Sequence, residues 1–209
     1  VVTKTLTRQP RDGHPPPRLV ETPAGLLNAV GLANIGLEAF LRDRLPALRP
    51  FRVPVIVSVL GDSLEELEVM VPQLDRAEGV AAIELNLSCP NLRLRSGFRA
   101  QGSGMAQSPE PTAQNQLMVA QDPDATLTIV QAARRLTTKP LIVKLSPDVT
   151  DLAPIAKAAE RAGADALSLV NTFVGMSIDP STRRSRLGMP TGGVSGPAIR
   201  PLAVYRVWY

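Results

Sequence analysis

Cysteine and histidine each occur once in these 209 residues, and aromatic side chains make up only 3%. A single thiol excludes an intramolecular disulfide framework, and with no signal-peptide pattern the chain is expected in a reducing compartment, the cytoplasm. No apolar run approaches the roughly 20 residues that cross a bilayer, so no membrane association is expected. The formal net charge is +4. Scarce aromatics and the lack of a long Lys/Arg tract argue against nucleic acid as the partner, and small anionic ligands suit the modest basic excess. No set of metal ligands is assigned.

What is present is an alternation of short apolar runs with longer helical patterns. Val1 to Lys4 reads as the tail of a strand, and Pro54–Leu60, Ala81–Leu87, Pro140–Leu145 and Ala164–Val170 read as further strands. Between them, Ser63–Ala77 (with Asp62 as N-cap), Asp124–Leu136 and Thr150–Ala162 (with Gly163 after its end) read as helices, and Ala198–Trp208 as another. Repetition of this kind predicts an α/β fold with a parallel sheet under helical cover. Lys4, Asn86 with Cys89, Lys144, and Asn171 with Thr172 all fall at the downstream ends of predicted strands. In a (β/α)8 barrel those ends share one mouth, where active sites form. An open doubly wound sheet is the rival, but no Gly-x-Gly-x-x-Gly follows the first strand. A complete barrel takes about 250 residues, so the prediction is an incomplete TIM barrel holding strands 2 to 6, a single partial domain over residues 1–209.

Three stretches interrupt the repeat. Residues 8–36 and 173–197 are long connections without clear periodicity, and residues 92–121 are rich in Gln, Ser, Gly and Pro and read as a lid or insertion.

The octet Glu84-Leu85-Asn86-Leu87-Ser88-Cys89-Pro90-Asn91 places the only cysteine between two asparagines just past an apolar strand. A thiol has an ordinary pKa of about 8.5 and can move protons, while the flanking amides suit a planar ligand with imide and carbonyl groups. A lone cysteine is also commonly a small buried hydrophobe, and the octet alone leaves both readings open.

Taken with Thr3-Lys4-Thr5, His14-Pro15-Pro16-Pro17-Arg18, Glu21-Thr22-Pro23-Ala24-Gly25, Val143-Lys144-Leu145-Ser146-Pro147 and Thr191-Gly192-Gly193-Val194-Ser195-Gly196-Pro197, the octet resembles class 1 dihydroorotate dehydrogenase over nearly the whole chain. The Leu-Ser-Pro and Gly-Pro-Ala elements are most similar to the type B, NAD-dependent catalytic subunit. The resemblance implies oxidation of dihydroorotate to orotate in pyrimidine (UMP) biosynthesis, with hydride passing from C6 to FMN and Cys89 removing a proton from C5. It implies substrate contacts from Lys4, Asn28, Val30, Gly31, Leu32, Asn86, Asn91, Asn171 and Thr172, and cofactor contacts from Lys4, Asn86, Lys144, Ser195 and Gly196. It further implies a homodimer working with an iron-sulfur flavoprotein subunit that carries FAD and the cluster.

Some features depart from the family. His14 stands where the family has Asn in a surface turn, and a structural role is expected of it. Gly104-Met105-Ala106 and Asp122-Pro123-Asp124 resemble two halves of the family's lid, separated by an insertion. The first family strand and the last two are missing, so an internal fragment that is inactive in isolation is expected. Two other readings compete: a flavin-dependent dihydropyrimidine dehydrogenase domain, against which Asn91 argues, and a non-catalytic barrel subunit. The acceptor, whether NAD, fumarate or another, depends on the partner.

Overall fold

A computed structural model describes residues 1–87 and 119–208. Strands β1 (Leu19–Thr22) and β2 (Gly25–Asn28) form an antiparallel hairpin. Next come helix α1 (Leu37–Ala39), a π-helical turn over Phe40–Arg44, helix α2 (Leu45–Leu48) and a 3-10 turn over Arg49–Phe51. No element is assigned from the sequence over this helical stretch, which contains Pro46 and Pro50. Each occupies the first turn of its own short element, where a missing N–H costs nothing.

The repeating part follows in the expected order: β3 (Val55–Val59), α3 (Leu64–Arg76), β4 (Val80–Asn86), a 3-10 turn (Val119–Gln121), α4 (Pro123–Arg134), β5 (Leu141–Lys144), α5 (Ala153–Arg161) and β6 (Ala166–Ser168). Strands β3 to β6 make one sheet in chain order, parallel throughout. Residues 1–6 lie along the other side of β3, where Thr3 N donates to Ile56 O at 3.0 Å and Leu6 N to Ser58 O at 2.9 Å. Their pairing with β3 consists of two parallel bridges, Val2 with Ile56 and Leu6 with Val59, rather than a full strand.

Hydrophobic burial holds this sheet. Val57, Val59, Ile83, Leu85, Leu141 and Val143 are all buried, and in β4 Ala82 through Asn86 are buried without alternation. Both faces of the strand are therefore covered, as parallel sheets under helices require. On α3 the buried residues Leu67, Met70, Val71 and Leu74 recur at helical spacing. Its N-cap is Ser63, whose Oγ accepts from Glu66 N at 3.4 Å, and not the predicted Asp62. Asp62 faces outward to an ion pair with Arg11, while its own N–H donates to Glu66 Oε2 at 2.9 Å. Asp122 caps α4, accepting from Asp124 N at 2.9 Å and Ala125 N at 3.2 Å, which starts the helix one residue earlier than predicted. The next helix, α5, begins at Ala153 instead of Thr150, because Asp151 Oδ1 accepts from Ala153 N at 2.9 Å and ends the preceding loop there.

Two aspartates fix the entry to β5. Asp75 Oδ1 accepts from Thr137 Oγ1 at 2.6 Å and from Thr138 N at 2.8 Å, and these bonds hold its carboxyl below the usual carboxylate range. Asp165 Oδ2 accepts from Leu141 N at 2.7 Å and from Arg134 at 2.8 Å, with the same direction of shift and the Leu141 bond as its main cause.

The connections 8–36 and 173–197, unpatterned in sequence, build a second sheet together. Strands β7 (Phe173–Gly175) and β10 (Gly192–Ser195) join the first hairpin in the order β1-β2-β10-β7, all antiparallel. Between them β8 (Ile178–Asp179) and β9 (Arg184–Ser185) form a small hairpin, and α6 (Arg200–Trp208) follows a 3-10 turn over Pro197–Ile199. Very short, glycine-rich strands carry little periodicity, which is why the sequence reads as loop here. A Cβ on Gly25 would lie 2.0 Å from Ser195 O, so the turn between β1 and β2 passes β10 only with glycine at that position.

Candidate functional site

The parallel sheet and the antiparallel sheet meet around an open cavity of ≈ 380 Å³. Register explains what reaches it. Asn86, the last residue of β4, is paired with Lys144, the last of β5, which is paired in turn with Ser168, the last of β6. Three residues on, Asn171 N donates to Leu145 O at 3.1 Å, which ties the start of the next loop to the end of β5.

Nine of the residues singled out in the sequence line this one cavity: Lys4, Asn28, Val30, Gly31, Leu32, Asn86, Lys144, Asn171 and Thr172. The parallel sheet contributes Lys4, Asn86 and Lys144. The antiparallel sheet contributes Asn28, whose Nδ2 donates to Gly193 O at 3.1 Å across the β2–β10 pair. Thr172 packs against the same strand so closely that a Cβ on Gly193 would lie 2.1 Å from Thr172 Oγ1.

Buried polar contacts orient the floor. Asn86 Nδ2 donates to Thr5 Oγ1 at 2.9 Å, and Thr5 Oγ1 shares a 3.0 Å hydrogen bond with Ser58 Oγ. All three residues are buried. A satisfied buried network fixes side-chain direction, because each alternative rotamer strands a polar group.

The wall built from Val30, Gly31 and Leu32 has unusual backbone geometry. Gly31 has φ +72° and Leu32 φ +57°, both left-handed. None of the three N–H groups donates a hydrogen bond among the described residues. Successive unpaired amides in a left-handed turn form a concavity suited to an anion. With the ammonium groups of Lys4, beside β3, and Lys144, at the end of β5, set against the one carboxylate of Asp148, the cavity carries donors and a positive excess.

Other predicted positions fall elsewhere. Ser195 and Gly196 are not part of this wall; they pack on the β1–β2 turn, where a Cβ on Gly196 would lie 2.6 Å from Gly25 Cα. Cys89, Asn91 and residues 92–118 of the predicted lid lie outside the described residues. Gly192 and Gly193 of the glycine-rich 192–196 segment, which resembles a flavin-contacting loop, also line the cavity, as do residues not assigned to it from sequence, among them Thr5, His14, Asp148, Met189 and Thr191. His14 is a half-buried part of the wall, not the surface-turn residue expected of it. Thr5 adjoins Lys4 in a quoted motif, and that adjacency was the available signal for it. Asp148 reaches the cavity because its Oδ1 accepts from Val174 N at 3.3 Å, a contact between segments that no local pattern discloses.

Among the described residues, no helix is long and apolar enough to cross a membrane, and no three His, Cys, Asp or Glu side chains are grouped to hold a metal.

Comparison with known proteins gives a consistent result. The sequence model of the family described as dihydroorotate dehydrogenase matches residues 1–209. The chain is 46% identical over 208 residues to the "Dihydroorotate dehydrogenase B (NAD(+)), catalytic subunit" of Geotalea daltonii, covering 100% of this chain and 62% of that protein. It is 48% identical over 208 residues to the protein of the same name from Desulforudis audaxviator, covering 100% of this chain and 61% of that one. The chain thus spans somewhat over three fifths of the length of these relatives.

Proposed function

The chain belongs to the dihydroorotate dehydrogenase family, and from that premise we propose that it carries part of the active site that oxidises dihydroorotate to orotate in pyrimidine biosynthesis. The observation supporting this most directly is the convergence of nine assigned residues on one donor-rich cavity at the ends of parallel strands. Strand order supports a (β/α)8 barrel as the frame. Residues 1–6 and β3 to β6 follow one another across the sheet in chain order, without the reversal that marks a doubly wound fold. On this reading residues 1–209 are one partial barrel domain, with an insertion at about 92–121.

The residues present fit FMN by their chemistry. Two ammonium groups, on Lys4 and Lys144, and the Asn86 amide suit a planar ring edged with carbonyl and nitrogen acceptors, and these three would hold it. Ser195 and Gly196 would bear on the cofactor from the β10 end. When bound, the flavin supplies the acceptor for the hydride leaving C6 of dihydroorotate.

The chain's own groups do the remaining work. The amides of Val30, Gly31 and Leu32 bind the substrate carboxylate, and Asn28, Asn86, Asn91, Asn171 and Thr172 orient the pyrimidine ring. Cys89, three residues beyond the Asn86 end of β4, takes the proton from C5 through its Sγ. Lys4 would contact both substrate and cofactor, and the ammonium groups of Lys4 and Lys144 would stabilise negative charge that develops beside them. The same reading includes a homodimer, a cytoplasmic location and an iron-sulfur flavoprotein partner with FAD that passes electrons to NAD; of these, the words "catalytic subunit" and "NAD(+)" in the relatives' names support a partner subunit and NAD.

The test is ligand discrimination in the complete flavoprotein. Orotate should perturb the flavin absorbance and uracil should not, because only orotate brings a carboxylate to the amide turn. Equal perturbation by both would move the assignment to a neutral dihydropyrimidine.

A further inference from the structure

Glu84 opens the octet that ends in Asn91. It is only 5% exposed, yet among the described residues neither a hydrogen bond nor an ion pair reaches its carboxylate. Buried carboxylates are nearly always paired, so a specific exception calls for a reason. Nδ1 of His14 is the one fully sealed side-chain nitrogen or oxygen without a partner among the described residues, so the Glu84 oxygens keep some accessible surface. Register places them under the cavity. From Ile83 to Asn86, β4 runs along β5 without a bulge, pairing Glu84 with Ile142 and Asn86 with Lys144. Side chains alternate along a strand, so Glu84 shares the face of Asn86 one layer down, about 7 Å along the strand. On its other side Glu84 pairs with Ser58, whose Oγ bonds the Thr5 hydroxyl that also holds Asn86. In the layer above, Lys144 lines the cavity and, like Glu84, has no hydrogen bond or ion pair among the described residues.

We propose that Glu84 is a counter-charge to the lysines of the cavity: ionised in the layer beneath Lys144, it limits how tightly the site holds an anion, so that an anionic product can leave. A desolvated carboxylate is sustained by opposite charge nearby. Lys4 and Lys144 supply that charge, and Asp148 is the one carboxylate in the cavity lining itself. The proposal rests on the dihydroorotate reading of this cavity and deepens it, by naming a residue that sets how firmly the anionic ligand is retained.

The sign of the effect separates this role from a structural one, because losing a merely structural residue loosens a site and weakens binding. Glu84→Gln keeps size and polarity and removes the charge. In the complete flavoprotein it should lower the orotate Kd by about tenfold, the order expected when one like charge is removed from a partly screened interior. It should also raise the flavin midpoint potential, since taking away a negative charge favours the electron-rich reduced form. Glu84→Asp keeps the charge and should stay close to the parent in both measurements. Infrared spectra of the unsubstituted protein labelled with 13C-glutamate should show no protonated carboxyl band at neutral pH, a reading that does not depend on how either variant folds. Orotate binding that is weaker or unchanged in Glu84→Gln, a potential that does not rise, or a labelled protonated carboxyl band in the parent would overturn the proposal. If orotate leaves the flavin spectrum of the unsubstituted protein unperturbed, it is the dihydroorotate reading itself that fails.

Discussion

Asn86 donates its amide to Thr5 Oγ1 at 2.9 Å, joining the end of β4 to the segment that carries Lys4, across 81 positions of chain. Both residues are buried. Thr5→Val removes the acceptor while keeping the volume, and takes from the buried Ser58 hydroxyl its partner and from the Asn86 amide one of its bonds. A buried group stranded in this way costs about 1–3 kcal/mol. Urea denaturation should show that loss, and substrate KM should rise because Asn86 is no longer held toward the cavity. A variant as stable as the parent with unaltered KM would show that the network does not orient the site.

Cys89→Ala should leave orotate binding intact while slowing flavin reduction by dihydroorotate about 10²- to 10⁴-fold, the usual range for a positioned base. Stopped-flow bleaching of the flavin measures this. Reduction at the parental rate would remove the cysteine from the mechanism.

Gly31→Ala introduces a Cβ where φ is +72° and where the new atom would lie 2.5 Å from His14 N. The turn must then shift, taking its three amides with it. Orotate affinity should fall by about tenfold or more, with kcat less affected, as expected for loss of uniform binding. Isothermal titration decides the point: affinity equal to that of the parent would show that the turn does not contact the ligand.

Asp75 gives a prediction about acid. Hydrogen bonds, first from the Thr137 hydroxyl and then from Thr138 N, lower its folded pKa below the unfolded value of about 4. Its contribution to stability is therefore fully present above that unfolded value and is lost as pH falls through the lower folded value. Asp75→Asn should be less stable than the parent at pH 7, with the gap closing below about pH 4. Equal urea midpoints at neutral pH would mean that solvent screening cancels the effect at this partly exposed position.

The parallel strands were legible because a sheet under helical cover leaves apolar runs, as in Leu141 to Val143. Lys144 and Asn171 were placed by the same signal, since each stands where such a run stops. The antiparallel sheet was not legible. Its strands are three to four residues long, and Gly193 and Ser195 are paired by contacts to Asn28 and Leu26 from far away in sequence. Helix α1 and its continuation were not assigned from the sequence, and the effect of Pro46 and Pro50 there depends on where each element begins. His14 illustrates a further limit: its place in the wall depends on the left-handed bend at Gly31, and nothing local to Gly13-His14-Pro15 encodes that.

The contact between Thr172 and Gly193 bears on how the site can be re-engineered. With only 2.1 Å between a hypothetical Cβ at 193 and Thr172 Oγ1, the two positions share one volume. A combinatorial library that randomises position 193 alone explores a narrow set, because a Cβ there would also lie 2.8 Å from Thr172 Cβ and needs residue 172 both to lose its hydroxyl and to shift. Varied together, the pair offers a different trade, in which ligand-facing chemistry can move from β6's following loop to β10. A search for altered substrate range should treat residues 172 and 193 as one codon pair.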